Sequence, residues 1–188
     1  MELPKRKQIR LPDYDYSSTG AYFVTICTYE RRCILSSVTV GDGVLDVPNV
    51  RLSPYGIILA ETLREFEKTY SWLSLDHYVI MPNHIHLLLQ IGGNGPSGTP
   101  APTNTDDGPS GTPAPTNEAL PRLVSTFKRF TNRRCGIQLW QRSYHEHVIR
   151  NEDDYRQIRD YIENNPARWV EDRYYTEDEH RTEEKSID

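Results

Sequence analysis

The run Met81-Pro-Asn-His-Ile-His-Leu-Leu-Leu-Gln-Ile91 constrains the fold more than any other part of the chain. Side chains on a strand alternate between faces, so Ile85, Leu87, Leu89 and Ile91 share one face while His84 and His86 leave by the other. The apolar face calls for a core. The two imidazoles, about 6 to 7 Å apart along the strand, can reach one divalent ion. They are half a site, because a useful metal needs a further protein ligand, which the rest of the chain must supply.

The elements around this strand follow from composition and spacing. Tyr22-Phe-Val-Thr-Ile-Cys-Thr-Tyr29 is β-branched and aromatic and reads as a strand. A hairpin is expected around Gly41-Asp42-Gly43, between 34–40 and 44–52. Ser53-Pro54 supplies an N-cap and a first-turn proline for a helix to about Tyr70. Strands over 75–81 and 85–91 follow, then a helix from Glu118 to about Arg134 with Leu120, Leu123, Val124, Phe127 and Phe130 at helical spacing. Ser143–Ile149 is the last strand, and Asn151 caps a helix to about Trp169. The fold class is therefore α+β: a ferredoxin-like βαββαβ antiparallel sheet with helices on one face, an added β-hairpin and an extra C-terminal helix. The His84/His86 face is expected to be the free one.

Between Gly92 and Asn117 a ten-residue unit, Gly95-Pro-Ser-Gly-Thr-Pro-Ala-Pro-Thr-Asn104, recurs from Gly108 to Asn117. It has no large apolar side chain to offset the cost of ordering, so 92–117 is read as a disordered surface loop. The organisation is then a basic arm over 1–9, one domain over 10–169 interrupted by that loop, and an acidic tail over 170–188. The net charge of −5 is that of residues 171 to 188 alone, while residues 118 to 150 carry a net of +5. Such asymmetry fits a basic working surface with an acidic tail lying over it until substrate arrives, and equally a solvated helix face beside a disordered tail. Cys27, Cys33 and Cys135 are odd in number and lack a Cys-x-x-Cys spacing, which argues against a disulfide framework or a thiolate zinc site. No stretch approaches the roughly 18 apolar residues of a membrane span and no export signal is visible, so a cytoplasmic protein is expected.

The last helix contains Asp160-Tyr-Ile-Glu-Asn-Asn-Pro166. Tyr155, Ile158, Ile162 and Trp169 form its packing stripe, and Tyr161 and Asn165 lie together on the flank. An i, i+4 pair shares a face, so a metal held by the Asn165 amide oxygen would lie within reach of the Tyr161 hydroxyl. Tyr155 has Arg159 at the matching position, which cannot ligate a metal, and is given a core or rim role.

His84-Ile85-His86 followed by a helical Tyr161-x-x-x-Asn165 resembles the HUH single-tyrosine transposases. The likeness is closer to the REP-associated tyrosine transposases. Arg10-Leu-Pro-Asp-Tyr-Asp-Tyr16 through Ala21-Tyr-Phe-Val-Thr-Ile-Cys27, Tyr78-Val-Ile-Met-Pro-Asn-His84 and His147-Val-Ile-Arg150 agree with it in order and spacing. It covers roughly residues 10 to 169 without the repeat loop. The resemblance implies a metal-dependent single-strand DNA endonuclease and strand transferase acting on hairpin-containing DNA. It implies His84, His86 and Asn165 as ligands of Mg2+ or Mn2+, and Tyr161 as the nucleophile that forms a 5′-phosphotyrosine. The extra helix thus carries the nucleophile, in a monomer or a homodimer. Two rivals stay open: a domesticated hairpin-binding protein that does not cleave, and a replication initiator or relaxase.

DNA contacts are expected from Lys5, Arg6, Lys7 and Arg10 in the arm and from Lys128, Arg129, Arg133 and Arg134 on the helix before the last strand. His145-Glu146-His147 is a second His-x-His whose central residue is charged, which favours local hydrogen bonding or DNA contact over metal. His77 is assigned to packing or a local bond. Trp140 is assigned to the core.

Overall fold

The computed structural model describes residues 20–39, 48–92 and 119–176. The N-terminal arm with Lys5, Arg6, Lys7 and Arg10, the turn at Gly41–Gly43, the duplicated segment and the tail beyond Thr176 lie outside the described residues. Within them the chain runs β1 (Gly20–Cys27), β2 (Ser36–Thr39), β3 (Asn49–Leu52), α1 (Pro54–Thr69), β4 (Leu73–Ile80), β5 (His84–Ile91), α2 (Ala119–Cys135), β6 (His145–Ile149) and α3 (Glu152–Asn164). The main sheet has the order β4-β5-β1-β6 with every neighbouring pair antiparallel. With α1 and α2 as crossovers, this is the ferredoxin-like arrangement the element order predicts. β2 and β3 pair as a separate hairpin, in the register Val38↔Val50.

α1 and α3 start as their sequences require. Ser53 caps α1, its Oγ accepting from Gly56 N at 3.1 Å and donating to Ile34 O at 2.6 Å. Position 56 must be glycine because a Cβ there would stand 2.2 Å from the carbonyl oxygen of Leu35. Asn151 caps α3 through Asp154 N, with Glu152, Asp153 and Asp154 in a first turn that favours negative charge. At its other end α3 stops at Asn164, short of the expected Trp169. Pro166 has no N–H to continue the ladder, and the chain tightens into a 3₁₀ turn over Pro166–Glu171.

The core lies on one side of the main sheet. Ile85, Leu87, Leu89 and Ile91 of β5 pack with Tyr22, Val24 and Ile26 of β1 against Leu59, Leu63 and Phe66 of α1 and Leu120, Val124 and Phe127 of α2. Burial of each large apolar side chain contributes roughly 1.5–3 kcal/mol, so the register of β5 is firmly set. That register sends His84 and His86 to the opposite face. The face is not free as expected. α3 and residues 166–176 cover it, leaving His84 0% and His86 1% exposed.

A β-bulge between Leu75 and His77 explains how α3 is held. It frees Asp76 from the ladder, and its carboxylate accepts from Gln90 Nε2 at 2.7 Å and from Tyr155 Oη at 3.1 Å. His77 pairs with Glu163 at 3.1 Å and His147 with Asp154 at 2.9 Å. Tyr155 thus fastens the rim of α3, whose first and last turns are tied to the edge strands β4 and β6. Among the described residues no helix is long and apolar enough to cross a membrane.

Candidate active site

Four side chains converge under α3. His84 Nε2 and His86 Nε2 are 3.0 Å apart. The Tyr161 hydroxyl lies 3.3 Å from His86 Nε2 and 3.4 Å from Asp172 Oδ2. Asn165 Nδ2 donates to Asp172 Oδ2 at 2.6 Å. The structure therefore brings His84, His86, Tyr161 and Asn165 together within one chain, with Tyr161 and Asn165 on one face of the helix end. It adds Asp172, which the sequence reading left in the acidic tail.

Residues 170–176 are not tail but part of the site. Tyr174 is buried, its ring 4.7 Å from that of His84. Asn83, in the turn before β5, donates through Nδ2 to Tyr174 O at 2.7 Å and Thr176 Oγ1 at 3.2 Å. That orientation turns Asn83 Oδ1 toward His84 Nδ1, 2.9 Å away, where it accepts the Nδ1 proton. His84 Nε2 then presents a bare lone pair to the site. His86 Nδ1 meets Thr25 Oγ1 at 2.8 Å, across the β1–β5 pairing Thr25↔His86. A hydroxyl donates or accepts, so Thr25 tolerates either tautomer of His86. With His84 Nε2 bare, the 3.0 Å contact places the proton on His86 Nε2 and Thr25 as donor to Nδ1. Such partners on the far ring nitrogens are what orient histidines that bind metal.

Electrostatics favour neutral imidazoles. Burial, followed by the charges of Arg31 and Arg173, pushes the His84 pKa down to about 3, with the Asn165 amide acting weakly in the opposite sense. Burial and the neighbouring His84 hold His86 well below its usual range. Tyr161 moves the other way, up to about 12, from burial first and the Asp172 carboxylate second. Unaided, it is a protonated phenol at neutral pH.

A divalent ion fits these residues. One ring nitrogen each of His84 and His86 and a carboxylate oxygen of Asp172 lie within 4.8 Å of one another. Asn165 Oδ1 is buried and accepts no hydrogen bond, a cost of about 1–3 kcal/mol that coordination would remove. Two nitrogens with a carboxylate and an amide oxygen suit Mn2+ better than Mg2+, which prefers an all-oxygen shell.

Phe23 on β1 walls the site, its ring 5.1 Å from His86 and edge-on to Tyr161 at 6.0 Å. Outside it a cleft of about 550 Å3 runs along α3, lined by Gln157, Tyr161, Asn164, Arg168, Asp172 and Arg173 among others. The Tyr161 side chain is 41% exposed, so it can meet a substrate lying in that cleft.

Two of the four basic residues expected to face DNA from α2, Lys128 and Arg134, are engaged elsewhere. Lys128 Nζ donates to the carbonyls of Gln141, Arg142 and Ser143, and burial pulls its pKa down to about 8. It clamps a loop rather than facing a phosphate. Arg134 pairs with Glu61 and Glu65 of α1 at 3.1 and 3.0 Å. Arg129 and Arg133 are exposed, but α2 lies across the sheet from the histidines. His145 and His147 stand outside the four-residue cluster, and Trp140 is buried with its Nε1 donating to Thr131.

No family model matches the chain. An uncharacterised protein of Haemophilus influenzae is 30% identical over 179 residues, spanning 92% of this chain and 94% of its own length. A REP-associated tyrosine transposase of Escherichia coli K12 is 27% identical over 158 residues, 82% of this chain and 72% of that protein. Among solved structures, a REP-associated tyrosine transposase bound to a REP hairpin superposes with a TM-score of 0.54 at 20% identity, over 85% of this chain and 74% of that one. That likeness is one of fold.

Proposed function

We propose that the chain, a member of the REP-associated tyrosine transposase family, is a metal-dependent endonuclease and strand transferase. Its substrate is single-stranded DNA that includes a hairpin. The observation that carries this reading is the position of the Tyr161 hydroxyl, 3.3 Å from His86 Nε2 and 3.4 Å from Asp172, at the mouth of an open cleft.

His84, His86, Asp172 and Asn165 would hold the ion. When bound, it supplies Lewis-acid stabilisation of the charge that develops on the scissile phosphate. The rest of the step belongs to the protein. α3 fixes Tyr161 through its ties to Asp76 and His77, so the nucleophile arrives oriented. Tyr161 Oη forms a bond to phosphorus as the P–O3′ bond breaks, giving a 5′-phosphotyrosine. The phenol already donates toward Asp172, which takes its proton, and the departing 3′ oxygen is protonated to a hydroxyl. The phosphodiester energy is kept in the tyrosyl ester, and attack by a 3′-hydroxyl reverses the step on a second strand. Phe23 and Tyr174 exclude water from the histidine side of the ester.

The test is incubation of the full chain with Mn2+ and a hairpin oligonucleotide carrying single-stranded flanks. A denaturant-stable protein–DNA adduct is expected from the native sequence and none from Tyr161→Phe.

A further inference from the structure

Glu30 and Arg31 both sit in the left-handed region, at φ of 55° and 56°. Neither is a glycine, so this backbone is strained and persists only where its surroundings over-determine it. The fixing groups are visible. Tyr29 N donates to Leu139 O, Arg31 N to Thr28 O, and Thr28 Oγ1 to the carbonyls of Arg32 and Asn83. What the turn achieves is the placement of one side chain. The Arg31 guanidinium carbon stands 4.9 Å from the centre of the Tyr174 ring and that of Arg173 stands 4.6 Å from it. Arg31 Nη1 also donates to Arg173 O at 3.4 Å.

Two like charges thus meet on one aromatic ring, and that ring contacts His84. Among the described residues no carboxylate forms an ion pair with either guanidinium. By contrast, Arg134, Arg156 and Arg159 all have acidic partners. Arg173 also lines the cleft that opens on Tyr161. Converging cations repel unless an anion joins them, and a planar guanidinium backed by an aromatic ring is pre-set to hold a phosphate with little further ordering.

We propose that Arg31 and Arg173 form a phosphate cradle for the DNA strand at Tyr161, holding the phosphodiester next to the scissile one. The proposal rests on the reading that the strand crosses the His84/His86 site. The two groups are one aromatic ring removed from His84, which suits the neighbouring phosphate rather than the one under attack. Their task is positioning: they fix which phosphate comes to lie under Tyr161.

The experiment measures binding of a fluorescent hairpin oligonucleotide with a single-stranded flank, by anisotropy from 50 to 300 mM KCl, in a Tyr161→Phe background with EDTA. Each phosphate contact to a single strand contributes about 0.7 to the slope of log affinity against log salt. Because both arginines hold one phosphate, Arg31→Ala with Arg173→Ala should lower the slope by about 0.7, and Arg31→Lys with Arg173→Lys should restore most of it. Arg156→Ala, the loss of an exposed positive charge elsewhere on α3, should leave it unchanged. If the alanine pair does not fold, methylphosphonate substitution of single phosphates against the Tyr161→Phe protein decides. Loss of affinity concentrated at one phosphate beside the cleaved position supports the cradle; loss spread evenly along the flank overturns it. An unchanged slope in a folded alanine pair, or an equal drop in Arg156→Ala, also overturns it and leaves both arginines as packing for Tyr174. The slope reads the cradle whether or not the wild-type chain cleaves, so its failure is separable from failure of the nuclease reading.

Discussion

Asp172→Asn isolates the charge of the one ligand candidate that comes from outside the motifs. Asp172 Oδ2 accepts from Asn165 and Tyr161, and Oδ1 accepts from Tyr174 N at 2.6 Å. Asparagine keeps the shape but offers one oxygen for two strong donors, so about 1 kcal/mol of folding stability should go with the lost bond. The larger effect is on the cation. A carboxylate and a divalent ion about 4 Å apart attract by roughly 8 kcal/mol at an effective dielectric near 20. Asp172 is half-buried, and the desolvation of carboxylate and ion on binding takes back most of that, leaving ~2–3 kcal/mol. The dissociation constant for Mn2+ should therefore rise roughly 30- to 150-fold. Calorimetric titration of the full chain at pH 7.5 measures it, with a melting curve to confirm folding. A constant within threefold of the native value, in a protein whose His84→Ala variant no longer binds, would show that Asp172 orients Asn165 and does not touch the ion.

Asn83→Leu removes the acceptor that fixes the His84 tautomer and unties Tyr174 and Thr176, so Mn2+ affinity should fall about 10- to 100-fold although residue 83 is no ligand; unaltered affinity refutes that role. The metal-free protein should lose stability in acid. His84 has a folded pKa of about 3 against roughly 6.5 unfolded, so from pH 6.5 downward the unfolded chain binds a proton that the folded one refuses. Urea midpoints in EDTA should drop by the equivalent of on the order of 1 kcal/mol per pH unit from this residue; a midpoint that rises on acidification contradicts the burial of a neutral imidazole. Lys128→Met should destabilise the fold by about 1–3 kcal/mol by stranding three carbonyls and leave hairpin-DNA affinity unchanged; a tenfold loss of affinity at full folding would return Lys128 to the DNA surface.

The parts of the site visible in sequence are those whose geometry is local. A period of two places His84 and His86 on one face, and a spacing of four puts Tyr161 beside Asn165, whatever packs around them. Asp172 has no such periodic mark, and the seven other acids in residues 171 to 188 disguised it as tail composition. The sign that residues 170–176 fold back lay in the aromatics at and just before them: Trp169 and Tyr174 are both buried, which a solvated tail has no use for. Charge was misleading for a similar reason. The partners of Arg134 are on α1, and those of Lys128 are backbone carbonyls, neither of which a count of basic residues reveals. The face carrying the histidines was expected to be bare because the ferredoxin-like pattern accounts for only two helices. Asp76 shows how the third was fastened: a bulge, invisible in the apolar alternation of β4, turns its carboxylate toward Tyr155.

The most direct test of the central claim, that Tyr161 attacks DNA beside the histidine pair, is the identity of the residue that becomes linked to it. Full-length protein is reacted with a hairpin oligonucleotide and Mn2+, digested with nuclease and trypsin, and its phosphonucleotide-bearing peptide is sequenced by mass spectrometry. The result expected is a single nucleotide ester on Tyr161, absent in Tyr161→Phe and in His86→Ala. An ester on Tyr155 or Tyr174, or an adduct that survives Tyr161→Phe in equal yield, would contradict it.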